Sequence, residues 1–182
     1  RDACASWAAD YLQHRQKVSL RRPILPPHAF RTGNAALRTE HFTAMRGQDP
    51  AMTAYGGGDM EFGLRLSTQK KIPVRANPAA AARGSLNTSL DDLLQKTEEF
   101  GAINLPYLLR KYPSFSGVFG IEFLLKRNVR GMLLRKTLKQ RLRDIARNMV
   151  PGVPAFMRRL LIKYLFFYHT AMGYKRGSDA GL

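Results

Sequence analysis

The chain has 182 residues, 30 Lys and Arg against 13 Asp and Glu, and a formal net charge of +17. That length holds one domain with an extension, and the charge predicts an anionic partner, nucleic acid or the headgroups of an acidic membrane; the plainer alternative is a small subunit whose cations pair with acidic neighbours in a complex. The lone cysteine, Cys4, excludes an internal disulfide framework and a multi-cysteine zinc site, and fits a reducing compartment.

Residues 3–18 read as a helix with Trp7 and Tyr11 on one face. The Arg- and Ala-containing start, with Cys4, Ala8, Tyr11 and Leu12, suits either the edge of a mitochondrial targeting region or a short surface helix of a mature chain; residues 1–22 are set apart on that ground. Because the sequence begins at Arg1, an upstream segment is expected. From Pro23 to Leu86 the pattern dissolves. Pro23, Pro26, Pro27, Pro50, Pro73, Pro78 and the run Gly56-Gly57-Gly58 punctuate it, and neither helical nor alternating periodicity lasts. The expectation over 23–88 is an extended arm, ordered on a partner surface and without a core of its own.

Order returns at Ser89, an N-cap hydroxyl ahead of Asp91 and Asp92. Leu90, Leu93, Leu94 and Thr97 share a face, and Gly101 supplies a stop, so a helix is expected over 90–100. Pro106 and Pro113 then interrupt any long helix around an aromatic turn, Ser116-Gly117-Val118-Phe119-Gly120. A long basic helix follows over about 119–148, with nine cations between Phe123 and Arg147 and one carboxylate, Asp144. Its apolar stripe switches sides. Ile121, Leu125, Val129 and Met132 form one, and Leu134, Leu138, Leu142, Ile145 and Met149 another nearly opposite, with Gly131 at the changeover. That pattern predicts a kink or two different partners, and residues 89–148 are grouped as one helical region.

The last element begins after Pro151-Gly152-Val153-Pro154. Ala155 to Tyr174 is about 30 Å of helix, the thickness of a hydrocarbon core. Arg158, Arg159 and Lys163 lie in its first half, and Phe166-Phe167-Tyr168 form an aromatic group of the kind found near membrane interfaces. The cations are tolerable if their long side chains snorkel to headgroups or face a polar cleft. Periodicity alone does not separate a membrane helix from one buried in a soluble assembly. The fold class is therefore mainly α: an extended N-terminal arm, short helices, a long basic helix, and one C-terminal membrane-associated helix, with 149–182 set apart as a transmembrane or membrane-embedded helix and its tail.

No catalytic constellation is visible, and an enzyme is not expected. His14, His28, His41, His169 and Cys4 show no metal-ligand spacing; Gly56-Gly57-Gly58-Asp59 lacks the ending of a phosphate loop and reads as a flexible turn; the serine at 116 lacks the order of a nucleophile elbow. No metal or cofactor is expected.

From Leu105 to about residue 177 the chain resembles subunit f of the mitochondrial ATP synthase. The resemblance rests on Leu105-Pro106-Tyr107, the turn Ser116-Gly117-Val118-Phe119-Gly120, the basic run 123–147, the stretch from Gly152 through Tyr168, and Tyr174-Lys175-Arg176. It implies a non-catalytic structural subunit of the membrane (Fo) sector, supporting the stator and proton-translocating region. The chain would sit in the mitochondrial inner membrane with its bulk on the matrix side, among other subunits of a large complex and without nucleic acid. In that setting Ser116, Gly117, Phe119 and Gly120 would turn the chain at the matrix face, with Phe115, Phe119 and Phe123 on the interface. Lys126, Arg127, Arg130, Arg158, Arg159 and Lys163 would meet acidic phospholipid, cardiolipin being the expected bound lipid. Two rivals stand beside it: a mitochondrial ribosomal protein binding rRNA through arm and basic helix, which the charge suits equally, and an accessory subunit of another respiratory complex, which shares the membrane logic but not the turn motif.

Overall fold

The computed structural model describes residues 7, 10–12, 14, 23–80, 88–119, 121 and 136–179. The chain is mainly helical, as expected. In order, β1 (Ile24–Leu25) leads through two short 3-10 turns to α1 (Thr39–Ala44) and α2 (Gly58–Lys70), after which β2 (Val74–Arg75) pairs antiparallel with β1. Then follow α3 (Leu90–Ala102), α4 (Asn104–Lys111), a 3-10 turn over Pro113–Phe119, α5 (Gln140–Met149), a second such turn over Val150–Gly152, and α6 (Ala155–Asp179).

Helix α3 starts as its sequence predicts. Ser89 Oγ accepts from the Asp92 N–H at 3.1 Å while Asp92 Oδ2 accepts from the Ser89 N–H at 3.3 Å, a reciprocal capping box. Leu90, Leu93 and Leu94 are buried. Gly101 does not stop the helix, which runs on to Ala102 and passes through Ile103 directly into α4. Pro106 fits because it lies in the first turn of α4, where its missing N–H costs nothing.

Gly101 has a different task. It lies against α6, and a Cβ there would come within 2.4 Å of the Thr170 carbonyl oxygen; on α6, Gly173 and Gly177 would each place a Cβ 2.0 Å from the carbonyl oxygens of Glu98 and Ala102. Backbone therefore meets backbone along this pair. Leu90 and Leu94 share a cluster with Ile162 and Leu165 at one end, and Ala102 meets Gly177 at the other, so α3 and α6 run in the same direction. Ala146 and Val150 of the α5 region, with Trp7 and Tyr11 from the N-terminal helix, complete that core. Each fully buried Leu or Ile in it contributes roughly 1.5–3 kcal/mol. The expected N-terminal helix holds where it is described: Trp7, Asp10, Tyr11, Leu12 and His14 are helical, and Tyr11 stacks on Phe166 at 5.4 Å.

The interval expected as a coreless arm is folded instead. Phe30, Met45, Phe62 and Leu66 form a cluster with Leu37, Ile72 and Val74, and Phe62 lies 5.6 and 5.7 Å from the rings of Phe30 and Phe42. The physical reason is α2, whose residues 61–66 are all buried. Gly56-Gly57-Gly58 is no loose turn: Gly56 and Gly57 adopt φ of 83° and 88°, which glycine alone takes cheaply, and Gly57 is the N-cap of α2 beneath Phe100. Buried Asn104 pins this loop, donating to the carbonyls of Ala54 (2.8 Å) and Gly56 (2.6 Å).

Two expectations for the C-terminal half are corrected. Helical residues 136–137 are separated from α5 by Leu138 and an extended Lys139, so the basic run is interrupted there; Gly131, with its predicted kink and the stripe ahead of it, lies outside the described residues apart from the buried Ile121. Among the described residues, no helix is long and apolar enough to cross a membrane. The aromatic group expected in lipid is used inside the protein: Tyr168 is buried, and Phe166 packs under Tyr11.

Candidate functional site

The cations singled out on α6 do three different jobs. Arg158 donates to the carbonyls of Val150 (3.1 Å) and Val153 (3.0 Å), satisfying the turn before α6, and its guanidinium lies 5.1 Å from the Trp7 ring. Arg159 grips Asp10 with two hydrogen bonds of 3.1 and 3.0 Å, which hold the Asp10 carboxyl below its ordinary value and fasten the N-terminal helix to α6. Both arginines are thus spent on the fold rather than held out to headgroups. Lys163 is exposed and makes no ion pair among the described residues. Lys126, Arg127, Arg130 and Gly120 lie outside the described residues.

The aromatic turn is packed rather than presented. Phe119 lies 5.7 Å from Phe100, and Phe115 contacts His28 (5.8 Å) and Tyr112 (6.3 Å), while Ser116 is half-buried and Gly117 exposed. Only Val118 among its large apolar side chains faces outward. Phe123 falls outside the described residues. Beside the turn, Val118, Phe119, Leu160, Lys163, Tyr164 and Phe167 line an open groove of about 410 Å³.

A second concavity of about 530 Å³ lies between α3, α5 and α6. Most of its charges are paired. Arg147 donates to both Asp91 oxygens at 2.7 and 2.5 Å, which lowers the Asp91 carboxyl against the effect of burial. Glu98 takes His169 Nδ1 at 2.8 Å and Arg176 at 2.6 Å. Arg143 Nε lies 2.9 Å from Asp144 Oδ1 but off the hydrogen-bonding line, and its guanidinium rests 5.9 Å from the Tyr168 ring. The cleft's three arginines face the lining carboxylates Asp91, Glu98 and Glu99 and the adjacent Asp144, so it offers no net positive charge to an anion. Its chemistry is that of a clamp holding α3, α5 and α6 together.

A buried ionic network ties α2 to α4. Glu61, wholly buried, accepts from Arg65 Nε (3.0 Å), Lys111 Nζ (2.8 Å) and Tyr112 Oη (3.3 Å). Arg65 also donates to the carbonyls of Met45 and, at 2.7 Å, Gly47. Lys111 bridges onward to Asp49 at 2.7 Å, which takes Tyr107 at 2.6 Å. Burial opposes ionisation of Asp49, but hydrogen bonds from Lys111, Tyr107 and the Ala51 N–H outweigh it and hold the carboxyl down at about 2. Burial and the negative charge of Glu61 push the Tyr112 phenol up to about 12. Sequence reasoning missed this network; the one local signal was the i, i+4 pair Glu61 and Arg65.

The signs give a pH prediction. A depressed Asp49 stabilises the fold fully above its unfolded value of 3.8 and loses that contribution, about 2 kcal/mol, as pH falls towards 2. A raised Tyr112 acts in reverse, losing its contribution as pH rises from 10 to about 12. Urea midpoints measured across pH should fall at both ends, and Asp49→Asn should flatten the acid limb and, because Asp49 also raises Tyr107 and Lys111 through their hydrogen bonds, soften the alkaline limb as well.

Among the described residues no group of His, Cys, Asp and Glu could hold a metal. What remains unspent is a surface of mixed character. Lys136, Lys139, Arg141 and Lys163 are exposed, and so are Leu142, Ile145, Met149, Phe156 and Leu160. Comparison with protein-family models, curated proteins and solved structures finds no match for this chain.

Proposed function

We propose that this chain is a non-catalytic structural subunit of the membrane sector of the mitochondrial ATP synthase, resting on the inner membrane from the matrix side. The observation that carries the reading is the surface just described, where exposed cations and large exposed apolar side chains occur together on α5 and the start of α6. A surface that only neutralises phosphates needs the cations and gains nothing from exposed Leu, Ile and Phe. The order of motifs from Leu105 to residue 177 supports the particular complex. The chain is attached peripherally, through protein contacts and acidic phospholipid such as cardiolipin, and performs no catalysis and needs no metal. An accessory subunit of another respiratory complex would share the same surface logic.

A second reading, a mitochondrial ribosomal protein on rRNA, is favoured by the formal charge of +17. Affinity purification of the tagged chain from mitochondria in mild detergent, with and without nuclease, separates them. The expected result is nuclease-insensitive co-purification with ATP synthase subunits; nuclease-sensitive sedimentation with ribosomal particles overturns it.

A further inference from the structure

We infer that α5 is an interfacial docking helix, whose exposed apolar stripe seats in the headgroup zone of an acidic phospholipid bilayer while the body of the protein stays in water. The inference deepens the membrane reading above and names the element that makes the contact.

The argument starts from an arc. At about 100° per residue, Leu142, Ile145 and Met149 lie within about 60° of one another on α5. They are 42%, 54% and 43% exposed. Buried Ala146 and Val150 face the core about 90° further round. The apolar side of this helix is therefore wider than α6 covers, and half of it is left to water. Polar residues that would suit such exposure sit on the opposite side, Gln140 and Asp144, with Asn148 on the flank next to Arg141.

Charge decides the occupant. Arg143 and Arg147 turn towards Tyr168 and Asp91. That leaves Arg141 on the rim beside Ile145, with Lys136 and Lys139 ahead of the helix, all exposed and without an ion pair among the described residues. The single carboxylate on α5, Asp144, lies beside Arg143. After the Pro151–Pro154 turn, α6 exposes Phe156 and Leu160, with Lys163 one turn on. A second copy seated here would bring like charges together. A nucleic acid would leave the aliphatic stripe wet. An acidic bilayer satisfies both features, apolar side chains entering the acyl boundary and cations meeting phosphates.

The test is flotation of the purified full chain with vesicles of phosphatidylcholine alone and of phosphatidylcholine with cardiolipin at about 4:1. Binding is expected to the acidic vesicles alone and to weaken with salt. Ile145→Glu, at an exposed position that leaves the fold intact by circular dichroism, should lower partitioning about tenfold, and Ile145→Trp should raise it. Lys139→Gln and Arg141→Gln should each lower it about fivefold, which tests the same surface without touching the stripe. Absence of vesicle binding overturns the inference, as does acidic-vesicle binding that Ile145→Glu leaves unchanged. Concentration-dependent dimerisation abolished by Ile145→Glu overturns it in favour of a second copy. Failure on vesicles with co-purification intact removes the docking helix and leaves the ATP synthase reading standing; vesicle binding without co-purification does the reverse.

Discussion

Gly173→Val is expected to unfold the protein or to cost about 4 kcal/mol or more, while Gly152→Ala shifts stability by about 0.5 kcal/mol or less. The contrast follows from where the added carbon would go. At Gly173 it would stand 2.0 Å from the Glu98 carbonyl oxygen, and the obstacle is helical backbone, which has no rotamer to change; at Gly152 nothing lies within 4 Å. To admit a side chain, α6 must part from α3 by more than an ångström. That breaks contact along the whole pair, including the seam at Gly101 and Gly177 and the apolar end at Leu90, Leu94, Ile162 and Leu165. Dispersion falls steeply with such a gap, so the penalty spreads over many side chains. Gly177→Val should behave like Gly173→Val, since its carbon would meet the Ala102 carbonyl oxygen at the same 2.0 Å. Thermal unfolding of the three variants, followed by far-ultraviolet circular dichroism, measures the order. Near-equal midpoints for Gly152→Ala and Gly173→Val would remove the backbone seam as the organiser of the core.

What was legible in the sequence was local. Ser89 with Asp92 is a capping box four residues long, and Leu90, Leu93 and Leu94 show their face within about one turn, so α3 could be placed from its own residues. Trp7 and Tyr11 showed theirs in the same way. Helix α2 was not legible for a physical reason: its apolar residues Met60, Phe62, Leu64 and Leu66 alternate along the chain, and between them stand Glu61, Gly63 and Arg65. Such a pattern contradicts a one-sided helix, yet suits one buried around much of its circumference, with its charges closed on each other four residues apart. On α6 the length and apolarity of Leu160 to Tyr168 were plain, and they raised the idea of a bilayer crossing. The same property is needed by a helix packed on one side against α3, α5 and the N-terminal helix, and only the packing distinguishes the two. The spacing Gly173 to Gly177 was the overlooked signal, four apart on one face and matched by Gly101 across the seam. Of the candidate lipid cations, Arg159 met a partner 149 positions away, a distance over which no local pattern informs.

Arg65→Met is expected to destabilise the fold by about 3–5 kcal/mol, because it removes one cation from a buried group that cannot rehydrate. Glu61 would keep Lys111 and Tyr112, but the carbonyls of Met45 and Gly47 would lose the guanidinium that now bonds them, and the loop between α1 and α2 would lose its tie to α2. Lys111→Met should cost less than Arg65→Met, since the Lys111 side chain is 31% exposed against 11% for Arg65. The decisive comparison is a double-mutant cycle. Glu61→Leu alone leaves Arg65 buried without its carboxylate, and Arg65→Met alone leaves Glu61 short of a cation. The double variant leaves neither of these two charges stranded and should be more stable than the two single costs added together predict, by about 1–3 kcal/mol. Urea unfolding of the four proteins at neutral pH measures that coupling. Simple additivity would mean that Arg65 acts through its bonds to the Met45 and Gly47 carbonyls and its stacking on Phe62, 5.3 Å from the ring centre, and not through Glu61. A positive coupling would show that Glu61 and Arg65 hold each other's charge inside α2, on the helix whose carboxylate also takes Lys111 and Tyr112 from the end of α4.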